Sequence, residues 1–424
     1  MDDLPEIRRM PEALRCASVD LGAELAASGF SSWVVGGAVR DQVLGRTPTD
    51  VDIATDATPE EVEACFGETV PLGKRFGTVL VMRGGLGIEV TTLRSESGYA
   101  DARRPESVTY GTSVAVDATR RDFTCNAMYL DTQNGEFLDP VHGLADTKSA
   151  VLRAVGDAAS RFEEDGLRIV RLARLAAVLG MKPEAGTITG ARLSRASLRG
   201  VSGERLFAEL ERGFASGRGA SMLRWLGEIE VVEELYPGFT SGAGARGAAL
   251  CREWPGEPGL LEGLLLFLDP DPGGGSLGER TARSKLATSS LDSLKVPRGI
   301  TRSWTACWRL AGELESAAER SVERGDLRLW MREDSWETAS ALALLTVEAE
   351  SERGLCIRAW REERQSLSEE ELFPVPWIEA ATLSEAGVEP GAIYGELLAT
   401  ALRMQLSGEF ADKDAAMSWL HQQI

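Results

Sequence analysis

The chain has 424 residues, of which 43% are hydrophobic, and it carries a formal net charge of −20. This length predicts about two to four domains. The acidic balance argues against a protein that coats nucleic acid non-specifically, although a local basic surface can still bind RNA. With only two histidines, a histidine-based zinc site is not expected.

Neither a secretory signal nor a membrane span is expected. The N-terminal segment MDDLPEIRRMPEALR contains no apolar run. The longest apolar run, residues 260–268, is interrupted by Glu262 and is too short to cross a bilayer. The six cysteines are scattered without a C-x-x-C pair, which is typical of reduced thiols. These features predict a cytoplasmic protein, and they carry no signal for an oligomeric state.

Residues 5–29 are predicted to form a helix, and a phosphate-binding turn is predicted after it. The apolar β-type run 33–35 ends at Gly36 and Gly37, and a short helix that contains Arg40 is predicted to begin there. Two glycines at such a position let backbone N–H groups approach an anion closely.

A second short strand is predicted at residues 50–54. Asp50 and Asp52 would point to the same side of it, because alternate residues of a strand share a face. Two adjacent carboxylates repel each other, and a folded protein tolerates them mainly when a cation lies between them. A few hard oxygen ligands suit Mg²⁺, which takes its other ligands from water and substrate phosphates. Together with the glycine turn, this pair predicts a nucleotidyl transferase.

Each feature also has a simpler interpretation. A glycine pair after a strand most often forms only a tight turn, and a D-x-D pair most often lies in a solvated loop. The combined order is more specific, and it resembles the signature GGxVRDxLLGRxxxDxDxxT of the tRNA nucleotidyltransferase and poly(A) polymerase family, the bacterial and eukaryotic class of CCA-adding enzymes. The matching positions are Gly36, Gly37, Val39, Arg40, Asp41, Leu44, Gly45, Arg46, Asp50, Asp52 and Thr55.

The resemblance implies a fold and an activity. The expected fold class is α+β: an N-terminal, polymerase-beta-like mixed sheet with helices, followed by all-α domains. The expected domains are a catalytic head at 1–146, a base-recognising neck at 147–215, a body at 216–330 and a tRNA-contacting tail at 331–424. The expected enzyme uses Mg²⁺, takes CTP and ATP, and acts on tRNA.

Further along the chain, a helix is predicted from Thr58 to about Phe66, with Thr58 as its cap. Strands are predicted at 78–82 and 88–93 around a glycine-rich turn. Glu89 lies on the second of these strands and is a candidate third, catalytic carboxylate. The alternative is an exposed acid on an edge strand. The family has an acidic residue on this kind of strand, which favours the catalytic role.

Residues 95–113 are polar and lack periodicity, and a loop of this length predicts a mobile functional segment. It resembles the flexible loop that precedes the family's R-R-D-F-T motif. That motif follows as RRDFTCNA at 120–127. Arg121 offers a bidentate fork for a triphosphate. Asp122 and Asn126 are spaced to share a helix face and could bind ribose, although an ordinary capped helix start fits the same residues.

The segment 129–146 is predicted to complete the sheet and turn the chain toward helices. Strands are expected at 129–130 and 136–138, and DPVHGLAD at 139–146 resembles the family motif D-P-x-x-G-x-x-D. His142 is interpreted as structural. From residue 147 onward the strand patterns are expected to end, and long amphipathic helices take over.

The helix predicted over 162–175 carries a candidate base-reading pair. Asp165 and Arg168 are spaced to be neighbours on one face, where a carboxylate and a guanidinium could read the edge of a cytosine or an adenine. By pattern alone, an ordinary surface ion pair is favoured. The family carries its base template at E-D-x-x-R, which implies base recognition by Glu164, Asp165 and Arg168, with Arg171 on the same helix.

A further family helix, S-x-E-R-x-x-x-E-L, matches residues 202–210. Ser202 is its expected cap, and Arg205 and Glu209, four residues apart, are expected to be structural and to brace the template helix. Beyond it, helices are predicted around 219–236, 258–268, 302–320, 334–361 and 379–402. A low-acid stretch is a candidate tRNA contact: Arg280, Arg283, Lys285, Lys295, Arg298 and Arg302.

Several activities remain open at this stage besides the favoured addition of CMP and AMP to tRNA. Poly(A) polymerases typically carry G-R-R-F-R where this chain has GKRFGT at 73–78. Its G-T-V ending resembles CCA-adding enzymes, whereas Lys74-Arg75-Phe76 resembles the polymerases. Enzymes that add only CC tend to lack the flexible loop, which is kept here. A-only addition stays open, because its differences lie in the divergent C-terminal half. A catalytically silent protein that retains the fold and binds RNA is the other alternative; the acidic charge and the unfamiliar C-terminal half motivate it, and the intact carboxylates, phosphate motif and base template oppose it.

Overall fold

A computed structural model describes residues 4–73, 77–99, 105–110, 113–235, 247, 249–251, 253–268 and 277–424. The chain forms two compact units, Met1–Gly244 and Ala245–Ile424. Within the described part, every strand belongs to the first unit and the second unit is helical. None of the helices described there is both long and apolar enough to span a bilayer.

A seven-stranded mixed sheet organises the first unit, in the order β3-β4-β5-β2-β1-β8-β9. Strands β2 and β5 run parallel, and the other adjacent pairs are antiparallel. The strands are β1 (Ser32–Val35), β2 (Asp52–Thr55), β3 (Thr69–Gly73), β4 (Thr78–Arg83), β5 (Leu86–Thr92), β8 (Tyr129–Asp131) and β9 (Phe137–Leu138).

Both faces of this sheet are covered, so its central strands are apolar at successive positions. Val34 and Ile53 pack into one core, and Val35 and Ala54 pack into the core on the opposite face. Such two-sided burial follows from the side-chain period of two in a strand. The first core takes its helical side chains mainly from α1 (Glu12–Ala27), α2 (Gly37–Val43) and α3 (Pro59–Cys65), and the second from α4 (Val114–Thr119).

Local chemistry explains two of the predicted boundaries. Thr58 and Glu61 form a reciprocal capping box at the start of α3, with Pro59 in its first turn. Gly84 and Gly85 have φ values of 57° and 79° and join β4 to β5 as a tight hairpin. Both positions need positive φ, which glycine adopts without steric cost.

The segment expected to be a loop over 95–113 is instead a two-stranded ribbon in its described part, so that prediction is wrong there. Strands β6 (Arg94–Tyr99) and β7 (Pro105–Tyr110) pair antiparallel outside the main sheet. A ribbon satisfies its backbone groups by pairing with itself and needs no buried apolar face, so its sequence shows no hydrophobic alternation. Lys74, Arg75 and Phe76, whose sequence resembles the G-R-R-F-R motif of poly(A) polymerases, lie outside the described part of the chain.

After α5 (Gly143–Lys148) the first unit is mainly helical, but two expectations fail. A short parallel pair, β10 (Val151–Leu152) with β11 (Lys182–Pro183), follows residue 147 and is too short to show a sequence period. The single helix expected over 162–175 is interrupted after residue 164. The helices are α6 (Ala158–Glu164), α7 (Leu167–Leu179), α8 (Ala185–Leu193), α9 (Gly203–Gly213), α10 (Gly219–Glu228) and α11 (Val232–Leu235).

Two irregular turns connect these helices. A 3₁₀ helix spans Arg195–Gly200 between α8 and α9. A π-type turn spans Phe214–Arg218, in which Gly217 takes a positive φ of 69°. Ser202 occupies the N-cap position of α9 as expected, but its side chain makes no capping hydrogen bond.

The second unit contains more and shorter helices than the sequence pattern suggests. The regions 334–361 and 379–402 each hold two helices rather than one, and Arg280 of the proposed tRNA-contact stretch donates hydrogen bonds to Gly312 and Ser316. The described helices are Leu260–Leu268, Leu277–Ser293, Arg298–Ala317, Arg324–Met331, Trp336–Thr346, Glu352–Ser366, Glu369–Leu372, Ala380–Glu385, Ala392–Ser407 and Lys413–Gln423.

At the turn 139–143 the backbone of Gly143 packs closely against Thr124, and a substitution can test this contact. The Asp139 carboxylate accepts hydrogen bonds from the N–H groups of Gly143 and Leu144 at 2.7 and 3.0 Å. A Cβ on Gly143 would lie 2.1 Å from the carbonyl oxygen of Thr124. We expect Gly143→Ala to lower the free energy of unfolding by about 1–3 kcal/mol through overpacking.

Thermal unfolding followed by circular dichroism measures this effect. Gly67→Ala is the matched control, because a Cβ at that position would meet no atom within 4 Å. Equal melting temperatures for the two variants would contradict the close packing at Gly143.

Candidate functional site

A polar cleft of about 680 Å³ lies in the first unit and collects residues from the sheet and from the helices that follow it. Every predicted site residue except Glu164 lines this cleft. The lining residues are Gly36, Gly37, Arg40, Asp50, Asp52, Glu89, Arg120, Arg121, Asp122, Asn126, Asp165, Leu167, Arg168, Arg171, Arg174, Leu175, Arg205 and Arg212.

The glycine turn forms one wall of the cleft. Strand β1 ends at Val35, which lies opposite Asp52 on the antiparallel strand β2. Gly36 then takes φ 75° and ψ −128°, a conformation that residues with a side chain rarely adopt. Helix α2 begins at the next residue. The turn therefore presents the backbone at the start of α2 directly beside the carboxylate on β2.

The predicted carboxylates lie together beside this turn. Asp52 on β2 is in register with Glu89 on the parallel neighbour β5, so the two side chains occupy adjacent positions of the sheet. Strand β2 begins at Asp52, so the expectation that Asp50 also lies within the strand is wrong. Asp50 nevertheless remains close: its Oδ1 atom is 4.0 Å from the position of a Cβ on Gly37, and Asp52 Oδ2 is 3.7 Å from that on Gly36.

Crowding of like charges alters the acidity of Asp52. Burial within the cleft, followed by the negative charges of Glu89 and Asp50, raises the pKa of the Asp52 carboxyl to about 6, although part of the side chain still reaches solvent. Arg121 and Arg171 act in the opposite direction and do not cancel the increase. A cation beside Asp52 would relieve this repulsion.

The chemistry of these donors fits a hard divalent cation such as Mg²⁺. Asp50 and Asp52 supply carboxylate oxygens, which are the ligands that Mg²⁺ prefers in proteins. No group of three or more His, Cys, Asp or Glu side chains in the described part of the chain is arranged to hold a metal by itself. A cation held by Asp50 and Asp52 would take its remaining ligands from substrate or water oxygens.

Arg40 links the glycine turn to the R-R-D-F-T segment. Its guanidinium donates to the carboxylate of Asp41 at 2.8 and 2.9 Å and to Oδ1 of Asn126 at 2.7 Å. The side chain is largely buried, with 12% of it exposed. These bonds hold one positive charge at the edge of the cleft, at the start of α2.

The position of Arg121 is set by two buried residues, Asp117 and Tyr129. Its Nε donates to Asp117 at 3.0 Å and to the Tyr129 hydroxyl at 2.8 Å, and its guanidinium lies over the Tyr129 ring. Tyr129 in turn donates to Asp117 at 2.6 Å. Among the residues that the structure describes, the Nη atoms make one hydrogen bond, which is long at 3.4 Å and runs from Nη1 to the carbonyl of Asn126. The arrangement orients a guanidinium toward the cleft.

Asp122 and Asn126 meet, although the helix expected to bring them together is absent. Only Thr124–Asn126 is helical, as a 3₁₀ turn, and Nδ2 of Asn126 donates to Oδ1 of Asp122 at 3.2 Å. Arg171 donates to the other oxygen of Asp122 at 2.7 and 2.9 Å. Burial opposes the charge, but the Arg171 guanidinium, the hydrogen bond from Asn126 and the charge of Arg168 together outweigh it and lower the pKa of Asp122 to about 2.

The base-template residues are also arranged differently from the expectation. Asp165 precedes α7 and is not a helical neighbour of Arg168, because the helix is broken between them. Asp165 accepts from Arg205 of α9 at 2.7 and 3.3 Å. Arg168 donates to Glu164 at 2.8 Å and to the carbonyl of Arg120 at 3.0 Å. Both side chains still line the cleft, and Glu164 holds Arg168 from outside it.

Arg205 and Glu209 take different partners. Glu209 is buried and accepts from three arginines: Arg174 at 2.5 Å, Arg212 at 3.3 Å and Arg171 at 3.4 Å. A buried carboxylate at the centre of several guanidinium groups fixes their positions. Helix α9 therefore braces the arginines of α7 through Glu209.

Six residues that line the cleft were not predicted from the sequence to do so: Arg120, Leu167, Arg174, Leu175, Arg205 and Arg212. A signal existed for Arg174, because arginines recur every third residue from Arg168 on α7 and stay near one helix face. Arg205 and Arg212 come from α9, and only the packing of α9 on α7 brings them to the cleft.

The cleft has a charge opposite to that of the whole chain. Eight arginines and five carboxylates line it, so its lining is net positive in a protein of formal net charge −20. Clustered positive charge attracts polyanionic substrates locally whatever the total charge is. The arrangement suits a ligand with a phosphate chain at one end and a polar ring at the other.

Comparisons with known proteins agree with this description. A family profile described as the poly A polymerase head domain matches residues 32–153. The chain is 32% identical to the CCA-adding enzyme of Limosilactobacillus fermentum over 394 residues, which covers 91% of each chain. It is 48% identical to the CCA-adding enzyme of Streptococcus pyogenes over 185 residues, which covers 44% of this chain and 46% of that one.

A solved structure is similar over almost the full length. The Bacillus stearothermophilus CCA-adding enzyme in complex with CTP superposes with a TM-score of 0.69 at 25% identity, and the match covers 98% of both chains.

Asp52 yields a prediction for stability. Its pKa is raised from the ordinary value of about 3.9, so ionisation opposes folding. The free energy of unfolding should fall as the pH rises from about 4 to about 6 and stay lower above that range. At pH 7, Asp52→Asn should therefore stabilise the metal-free protein by about 1 kcal/mol after solvent screening, or about 2–4 °C in melting temperature.

Thermal shift measurements at pH 5 and pH 7, with and without Mg²⁺, check this prediction. Mg²⁺ should stabilise the wild type more at pH 7 than at pH 5, because a proton competes for the same carboxylate. It should stabilise the variant less at both values. A variant that melts below the wild type in the absence of metal at pH 7 would contradict the proposed repulsion.

Proposed function

The chain belongs to the family of CCA-adding enzymes, and from this membership we propose that it is a template-independent tRNA nucleotidyltransferase. It adds CMP and AMP to the 3′ end of tRNA and releases pyrophosphate. One observation carries the proposal most strongly: a single cleft joins the glycine turn, the carboxylates of Asp50 and Asp52, and the side chains of Asp165 and Arg168. In this proposal the three parts would bind the phosphates, the reacting centre and the base of a nucleoside triphosphate.

The phosphate part of the proposal rests on donors at the first wall of the cleft. Gly36 and Gly37 would present backbone N–H groups to the triphosphate, and Arg40 and Arg121 would neutralise its charge. Arg121 suits this role, because Asp117 and Tyr129 hold its Nε and direct its remaining N–H groups toward the cleft.

The ribose is assigned to Asp122 and Asn126. Asp122 already accepts bonds from Arg171 and Asn126, so the amide of Asn126 lies in a fixed orientation at the cleft surface. A side-chain amide can both donate to and accept from a hydroxyl group. A ribose hydroxyl would therefore join an existing network and would require little rearrangement of the protein.

Asp50 and Asp52 would hold two Mg²⁺ ions, with Glu89 as the neighbouring catalytic carboxylate. When bound, such ions lower the pKa of the primer 3′-hydroxyl and stabilise the charge of the leaving pyrophosphate. The protein contributes the placement: the β-sheet register sets Asp52 beside Glu89, and both aspartates border the phosphate-binding turn. In this arrangement the attacking hydroxyl and the α-phosphorus would meet beside Asp52.

The base is assigned to the α7 side of the cleft. The carboxylate of Asp165 can accept from the exocyclic amino group that cytosine and adenine share, and Arg168 can donate to their ring acceptors. Glu164 and the carbonyl of Arg120 orient Arg168, and Arg171 supplies a further donor at the same wall. Uracil and guanine lack an amino group at the equivalent position, so the pair would discriminate against UTP and GTP.

The larger organisation follows the same proposal. Residues 1–146 would form the catalytic head and 147–215 the base-recognising neck, whereas 216–330 and 331–424 would form a body and a tail that contact tRNA. The six cysteines are free thiols in the structure, which suits a reducing compartment. We therefore propose a cytoplasmic location.

The assay for this function uses tRNA that lacks its 3′ CCA, all four nucleoside triphosphates and Mg²⁺. We expect sequencing of the product to show CCA followed by termination. Addition of CC alone, of A alone, or of a long A tract would assign the chain to one of the related activities instead. Sustained absence of pyrophosphate release would favour a catalytically silent RNA-binding protein.

The metal assignment is tested by Asp50→Ala and Asp52→Ala in the same assay. Loss of a metal ligand should reduce incorporation of labelled CTP on the order of 10³-fold, because several kcal/mol of transition-state stabilisation depend on the metal. Asp20→Ala, at an exposed position of α1, is the control and should leave incorporation unchanged. Unchanged incorporation by Asp52→Ala would refute the assignment.

A further inference from the structure

The break between α6 and α7 lies at the base-reading wall of the cleft. Helix α6 ends at Glu164 and α7 begins at Leu167. Asp165, Leu167 and Arg168 all line the cleft, and Gly166, between them, is buried and does not. Whatever fixes Gly166 therefore also fixes the backbone from which these three side chains project.

Gly166 is required by space rather than by its backbone conformation. Its φ and ψ values are −55° and −25°, which any residue adopts readily. A Cβ at this position, however, would lie 2.6 Å from the carbonyl carbon and oxygen of Ser197 and 2.8 Å from the N atom of Leu198. These are backbone atoms, so they cannot rotate away as a flexible side chain could.

The 195–200 3₁₀ helix is itself tied to α6. The Ser197 hydroxyl donates to the carbonyl of Phe162 at 3.0 Å, and the Ser194 hydroxyl, three residues earlier, donates to the carbonyl of Ala159 at 2.9 Å. Ser197 lies within the 3₁₀ helix and Ser194 is its N-cap residue, so the two side chains are about one 3₁₀ turn apart and reach α6 with matched spacing. Leu198 is 1% exposed and Phe162 is fully buried. The 3₁₀ helix therefore resists displacement.

We propose that Gly166 and Ser197 are positioning residues for base selection, an inference that rests on the proposed function. The 3₁₀ helix at 195–200 packs against the backbone at the α6–α7 break. Because Gly166 has no side chain, the two segments can approach closely. The amide of Leu167 donates to Oδ1 of Asp165 at 3.1 Å, and Arg205 donates to the same carboxylate. A shift at Gly166 thus moves Asp165 relative to Arg168, whereas the carboxylates at the glycine turn stay in place.

The test compares wild type, Gly166→Ala, Ser197→Ala and Ser197→Thr in full-length protein. Single-turnover incorporation is measured with CTP and with UTP on tRNA that lacks CCA, and with ATP and GTP on tRNA that ends in CC. We expect Gly166→Ala to lower the selectivity ratios CTP/UTP and ATP/GTP by about tenfold to a hundredfold, since small misplacements of orienting groups have effects of this size. Ser197→Ala should lower them less, and Ser197→Thr, which keeps the hydroxyl, should restore them.

Gly395→Ala is the matched glycine control, because a Cβ there would meet no atom within 4 Å; its selectivity should equal that of wild type. If Gly166→Ala does not fold, the selectivity ratios of Ser197→Ala and Ser197→Thr are compared instead. Unchanged selectivity ratios in the folded variants overturn the inference, even if melting temperatures or total rates fall. A wild type that incorporates neither CTP nor ATP defeats the proposed function, and the two failures are therefore distinguishable.

Discussion

Repulsion between the carboxylates at Asp52 is the constraint on which the functional part of this structure depends. The sheet register places Asp52 beside Glu89, with Asp50 close by, and the result is a raised pKa of the Asp52 carboxyl. Such an arrangement opposes folding when no cation is present, and a protein retains it where the charge is used. The glycine turn beside it offers backbone N–H groups to an anion. Opposite requirements, for a cation and for a phosphate chain, thus meet at one edge of the sheet.

The second organising feature is helix α7, whose arginines line the cleft. Arg171 joins α7 to the R-R-D-F-T segment through Asp122, and the buried Glu209 joins α7 to α9. Because these charges are paired and partly buried, loss of one partner would leave the other uncompensated. The wall proposed to read the base is therefore held to the wall proposed to hold the phosphates by ion pairs as well as by apolar packing.

An acidic overall composition is compatible with binding of a polyanionic substrate. Net charge describes solubility and long-range steering, whereas binding depends on the field inside a cleft. Here the arginines of four separate segments converge on one cavity, and the acidic residues elsewhere leave this local field positive. Among the cleft carboxylates, Asp122 and Asp165 are neutralised by Arg171 and Arg205, so the uncompensated negative charge lies at the proposed metal site.

The sequence by itself determined the strand–glycine–helix unit, the carboxylate positions and the R-R-D-F-T segment, because each depends on local conformation or on a short motif. Only the tertiary structure decided which partners the charged residues take. Asp165 pairs with Arg205 rather than Arg168, and Glu209 collects the arginines of α7. The helix break at Gly166 and the ribbon formed by strands β6 and β7 were equally unpredictable. Each of these features is set by contacts between segments that are distant in the chain. Local sequence periodicity does not predict such contacts.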